Sequence, residues 1–138
     1  MKTVVAFGTF DIIHPGHLSY LEQAKRHGDV LIAVVTPDAA VLRRKGRRAL
    51  FTQGERMKIV AAVRSVDRVV LGDQDDSWRN VLACRPDIIC FGYDQKQAAR
   101  ALACRMQKGS KKPVRIVMAR SYRARRYHSA YLIKNRHA

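Results

Sequence analysis

Short apolar runs alternate along the chain with longer stretches whose apolar positions recur at helical spacing. "TVVAF" (3–7), "VLIAVV" (30–35), "DRVVLG" (67–72), "PDIICFG" (86–92) and "KPVRIVMA" (112–119) read as strands. The unbroken apolar character of 30–35 marks a strand covered on both faces. "HLSYLEQAKRHG" (17–28) carries Leu18, Leu21 and Ala24 on one face and stops at a glycine, the pattern of a helix with its C-terminal end. Residues 53–66, with apolar positions 57, 60, 61 and 63, predict a second helix, and 77–84, 95–108 and 129–136 predict three more. The segment 36–52 is polar and basic with a glycine at its middle, and reads as a long connector.

Strands separated by helices pair in parallel through right-handed crossovers. The expected fold is therefore α/β: a single Rossmann-like, doubly wound domain over residues 1–138, with a five-stranded parallel sheet and helices on both faces. The chain has no internal repeat and no low-complexity linker. In such sheets ligands bind beyond the C-terminal ends of the strands. Functional residues should thus gather in five segments, 8–17, 36–48, 72–76, 92–95 and 119–126.

Composition adds a polarity to this picture. Hydrophobic residues make up 47%, enough for a packed core, and no run is long enough to span a membrane. The N-terminal apolar run flows into the first motif and reads as a strand rather than a signal peptide, so the cytoplasm is the expected location. Cys84, Cys90 and Cys104 form no metal-ligand spacing and read as free thiols. The net charge is +16, from 27 Lys+Arg against 11 Asp+Glu. The last acid is Asp94, so the segment 95–138 is wholly acid-free and carries most of the excess. That field attracts polyanions: phosphorylated substrates, nucleic acid or an acidic partner.

The stretch "GTFDIIHPGH" (8–17) concentrates the candidate chemistry. It links the first strand to the first helix, where unpaired N–H groups and a positive dipole favour an anion. Gly8 lets the chain turn sharply, Gly16 clears the approach, and His14 and His17 can donate to phosphate oxygens. A metal pair and a purely structural turn are the alternatives; a metal would need a third ligand, for which Asp11 is the only neighbour. Asp11 is equally suited to orienting the loop, and Asp38 to capping a helix. Arg43, Arg47 and Arg48 read as a solvated loop. Asp73, Asp75 and Asp76 resemble a metal cluster but read as solvent-facing, and Trp78 as core.

The stretch 8–17 is similar to the signature of the cytidylyltransferase-like nucleotidyltransferases, with an HxGH motif after the first strand. "GDVLIAVVTPDAAVLRRKGRR", "QGERMKIVAAVRSVDRVVLG" and "PDIICFGYDQK" resemble the family's second strand and basic loop, its next helix and strand, and its fourth strand. "GYDQ" resembles the ending of the archaeal-type FAD synthase branch; glycerol-3-phosphate cytidylyltransferases are the next resemblance. The resemblance implies transfer of AMP from ATP to FMN, giving FAD and pyrophosphate, with magnesium on the substrate phosphates and a homodimeric assembly. A CTP-dependent transfer to glycerol 3-phosphate or a similar small phosphorylated alcohol is the alternative. A nucleic-acid-binding or interaction protein on a degenerate fold of this kind is the alternative from another class, motivated by the basic tail.

Residue by residue, the resemblance implies His14, His17 and Lys45 as catalytic groups, with Arg44 beside Lys45. It implies phosphate contacts from Thr9, Phe10 and Arg56, and nucleotide contacts from Asp94. Asp38 is an expected substrate contact, and Tyr122 an expected stacking platform for the base. Where relatives carry "RTEGISTT", this chain has "SYRARRYHSAYLIK": Ser129 stands for the first hydroxyl, Ala130 lacks the second, and Arg126 is an expected substrate contact.

Overall fold

The computed structural model describes residues 1–75, 77–106 and 113–122. Ten elements follow in order: β1 (Thr3–Gly8), α1 (Pro15–Lys25), β2 (Val30–Val35), α2 (Asp38–Lys45), α3 (Gln53–Ala61), β3 (Arg68–Leu71), α4 (Arg79–Ala83), β4 (Ile88–Phe91), α5 (Lys96–Met106) and β5 (Arg115–Met118). The five strands form one all-parallel sheet in the order β3-β2-β1-β4-β5. This is the doubly wound arrangement that the alternating pattern implies. The expected terminal helix at 129–136 lies outside the described residues.

Side-chain alternation divides the core into two layers. Val4, Ala6, Leu31, Ala33, Val35, Ile88 and Cys90 face one side, where Tyr20, Leu21 and Ala24 of α1 and Val60 of α3 cover them. Val5, Ile32, Val34, Ile89 and Phe91 face the other, under Val81 of α4 and Ala99 and Leu102 of α5. Cys90 is fully covered, and burial pushes its thiol up to about 11. Trp78 packs edge-on against Phe7 at 5.3 Å and Phe91 at 6.3 Å, which agrees with its reading as core.

Two elements differ from the sequence pattern. The connector 36–52 contains α2, whose buried residues Ala40 and Val41 are adjacent rather than at helical spacing. It ends at Gly46, whose left-handed φ of 69° suits glycine. The buried face of α1 is Tyr20, Leu21 and Ala24, while Leu18 is 38% exposed. The tyrosine displaces the leucine because its hydroxyl has buried backbone partners in the sheet.

Gly28 and Gly54 give opposite tests of packing. A Cβ on Gly28 would stand 2.7 Å from Val4 Cγ2 and 2.8 Å from the Lys2 carbonyl oxygen. That carbonyl is held by the Asp29 and Val30 amides and cannot retreat. A Cβ on Gly54, in α3, meets nothing within 4 Å. Gly28→Ala should lower unfolding free energy by about 1–3 kcal/mol, and Gly54→Ala should raise it by about 0.4–1 kcal/mol; urea titration of both variants reads the two signs.

Candidate active site

Strand β1 pairs with β2 as far as Gly8, but with β4 only as far as Ala6. Beyond that point β1 and β4 part, which orphans the backbone of Phe7 on the β4 side. Two side chains take it up. The Tyr20 hydroxyl accepts from the Phe7 amide at 3.1 Å and donates to the Cys90 carbonyl at 2.5 Å. Gln95 donates from Nε2 to the Phe7 carbonyl at 3.0 Å and accepts from the Gly92 amide at 2.7 Å. The parting is thereby held open without unpaired backbone groups, and burial raises the Tyr20 hydroxyl's pKa well above its usual value.

A cleft of about 1100 Å³ opens at this switch point. Of the five segments forecast to gather there, four line it: 8–17, 36–48, 92–95 and 119–126, the last through the described residues Ala119, Arg120 and Tyr122. The fifth does not. Gly72, Asp73 and Asp75 border a separate cavity of about 40 Å³ with Trp78. Strand β3 is an edge strand two places from the parting, too far to reach it. Asp73 and Asp75 accept from the amides of Asn80 and Ser77, so they build the turn before α4. Asp76 lies outside the described residues.

His14 and His17 sit at the mouth of α1 as a capping box built of imidazoles. His14 Nδ1 accepts from the Gly16 amide at 3.1 Å, and His17 Nδ1 accepts from the His14 amide at 3.3 Å. The rings stack with centroids 3.9 Å apart. A ring nitrogen that accepts carries no proton, so in each neutral ring the proton sits on Nε2. The backbone thus selects the tautomer in which both rings are Nε2–H donors. Pro15 at the first helical position starts α1 without wasting an amide. Phe10 turns through a positive φ of 51° while its ring is buried against Gly8, where a Cβ would come within 3.3 Å.

The cleft lining also carries basic side chains. Arg44, Lys45 and Arg47 line the cleft, as do Lys96 and Arg120. Partial burial lowers the Lys45 pKa, Arg47 adds to that, and the Asp11 carboxylate pulls the other way. Asp11 is itself buried, and accepts from the Leu50 amide at 2.8 Å and the Phe51 amide at 3.0 Å. It anchors the basic loop onto the HPGH loop, the orienting role considered for it beside a ligand contact. Asp94, exposed, and Tyr122, 41% exposed, line the cleft's outer part.

The cytidylyltransferase-like family profile matches residues 5–135. The chain belongs to the cytidylyltransferase-like family. It is 45% identical over 96 residues to a protein named FAD synthase from Thermoplasma acidophilum, covering 70% of this chain and 67% of that one. It is 44% identical over 95 residues to one of the same name from Archaeoglobus profundus, covering 69% and 60%. The aligned part thus spans about two thirds or less of these relatives. A solved structure from Thermoplasma volcanium, titled a lipopolysaccharide core biosynthesis protein, superposes with a TM-score of 0.80 at 37% identity, covering 88% of this chain and 98% of that one.

Within this member of the family, two expected ligand contacts have other work. Arg56 is fully buried and does not border the cleft. Its Nε donates to the Phe51 carbonyl, its Nη1 to the Thr9 and Thr36 carbonyls, and its Nη2 to Asp38 Oδ1, all at 2.7–3.0 Å. A guanidinium so engaged grips protein backbone, which corrects the expectation of a phosphate contact. Asp38 likewise faces Arg56 and the Gln53 amide rather than the cleft, correcting its reading as a substrate contact. Gly8, Thr9, Phe10, Gly16, Arg44 and Lys45 do border the cleft. Ser129 and Arg126 lie outside the described residues. Tyr20 and Gln95 were missed; a tyrosine on a helix face and a glutamine after a loop carry no sequence mark of where their polar ends go.

The acid response follows from the paired carboxylates. Burial pushes Asp38 up, but the hydrogen bond from Arg56 and that from the Gln53 amide outweigh it and hold the group below its usual range. The Lys25 hydrogen bond, then the Leu31 amide, lower Asp67 in the same way. A depressed carboxyl contributes stability that is complete above the unfolded value near 4 and lost as pH falls through the folded one. The contribution of these two carboxylates should therefore be level from neutrality to about pH 4 and fall below it, and Asp67→Asn should flatten the fall below about pH 4; urea midpoints between about pH 2.5 and 7 for both proteins give the difference.

Proposed function

We propose that this chain transfers the adenylyl group of ATP to FMN. An oxygen of the FMN phosphate attacks the α-phosphorus of ATP, the bond from that phosphorus to the α–β bridging oxygen breaks, and pyrophosphate leaves as FAD forms. The observation that carries the reading is the stacked histidine pair, both Nδ1 atoms tied to backbone amides, in the same switch-point cleft as the basic residues Arg44, Lys45 and Arg47. The relatives named FAD synthase support the choice of ATP and FMN.

Such a transfer needs its phosphates aligned and the charge on the transferring group stabilised, with little covalent help. The two Nε2–H groups serve as donors to the α- and β-phosphate oxygens. Lys45, with Arg44 beside it, neutralises the charge of the reacting phosphates. Thr9 and Phe10 offer the loop's backbone to the nucleotide, Asp94 its ribose or base contact, and Tyr122 a stacking face. Among the described residues no group of three His, Cys, Asp or Glu could cage a metal, and both Asp11 oxygens are occupied by amides. The proposal includes magnesium carried on the ATP phosphates. The homodimer belongs to the same proposal, and light scattering reads it. Among the described residues no helix is long and apolar enough to cross a membrane.

The deciding assay is pyrophosphate release with ATP or CTP, each offered FMN or glycerol 3-phosphate. Release with ATP and FMN alone is expected. Release with CTP and glycerol 3-phosphate would place the chain with the cytidylyltransferases; salt-dependent RNA binding with no release would replace the enzyme reading. His17→Ala removes one donor and should lower kcat by about 100–1000-fold. A rate near that of the unaltered protein would overturn the assignment of the pair.

A further inference from the structure

We propose that Asp38 and Arg56 are positioning residues that aim Lys45 into the cleft. The inference rests on the role given to Lys45 above. Lys45 is the last residue of α2, on a segment that leaves β2 at Thr36 and rejoins the body at Phe51. One guanidinium holds both ends of that segment: Arg56 donates to the Thr36 carbonyl at 2.8 Å and Asp38 at 2.7 Å at its start, and to the Phe51 carbonyl at 3.0 Å at its end. Its remaining bond, to the Thr9 carbonyl at 2.7 Å, ties the same group to the loop that carries the histidines. Catalytic lysine and catalytic histidines are thus referenced to one buried point.

Asp38 is the hinge side of this clasp. Its Oδ2 accepts from the Gln53 amide at 3.1 Å, while the Gln53 side chain accepts from the Asp38 amide at 2.9 Å. These reciprocal bonds lock the first turn of α2 to the first turn of α3. From Asp38 to Lys45 the helix rises about 10 Å, so a tilt of about 10° at its base would carry Lys45 about 2 Å sideways. A displacement of about 1 Å at a reacting group can cost about a hundredfold in rate.

The side chains of Asp38 and Arg56 lie outside the cleft lining, while Arg56 also holds the carbonyls of the cleft-lining Thr9 and Thr36, so the change that isolates the aim of Lys45 is one at Asp38. Asp38→Ala is the variant of choice, because this side chain is 49% exposed and its loss does not hollow the core. We expect kcat to fall by about 10–100-fold with KM for ATP and FMN changed by less than about threefold. In a Lys45→Ala background the same substitution should cost less than about threefold, since residues acting through one another are not additive. Amide hydrogen exchange across residues 38–52 should quicken in Asp38→Ala while that of β1 and β4 is unchanged.

A rise in KM for FMN at unchanged kcat would make Asp38 an acceptor contact and overturn the proposal. So would full additivity with Lys45→Ala, or unchanged exchange across 38–52. If the unaltered protein releases no pyrophosphate with any acceptor, the functional reading fails, and the exchange measurement still judges the clasp by itself.

Discussion

A single buried guanidinium organises the carboxyl-terminal side of this sheet. Taking the charge of Arg56 out of water would cost several kcal/mol if it were left unpaired. It is instead surrounded by three carbonyl oxygens and a carboxylate, each within hydrogen-bonding distance. The four acceptors come from the exit of β1, the exit of β2, the start of α2 and the entry to α3. Satisfying one charge therefore constrains the mutual placement of four chain segments, of which the exits of β1 and β2 border the cleft. The Thr52–Glu55 capping box fixes the start of α3 and so the point from which Arg56 reaches inward.

The cleft exists because β1 and β4 stop pairing after Ala6 and Cys90. A gap in a sheet exposes polar backbone, and such a gap persists only where other groups take up those bonds. Tyr20 and Gln95 do so from opposite flanks, one from α1 and one from the approach to α5. The same constraint explains the histidines. Their Nδ1 atoms complete the helix mouth.

Much of this was legible in the chain itself. Apolar runs at 30–35 and 86–92 identify central strands because a strand covered on both faces has no polar side to show. The alternation of strands and helices implies a parallel sheet, and a parallel doubly wound sheet implies a site beyond its strand ends. Residues 8–17 and 92–95 are found at that site for this reason.

What only the tertiary structure decided is the partner of each polar side chain. Arg56 is expected on phosphate from the family resemblance, and Asp38 as a cap or a substrate contact from its place after β2; the burial of Arg56 and its bond to Asp38 exist only once α2 and α3 meet. Helix α2 escaped detection because two adjacent alanine and valine residues supply its buried face, and packing rather than periodicity makes it a helix. The edge position of β3 removed 72–76 from the site, and strand order is not written in local pattern. Local periodicity determines which elements form, since burial of a strand or helix face depends on near neighbours in sequence. Which distant polar groups meet depends on how those elements pack, and here that packing decided which charges serve the fold and which face the cleft.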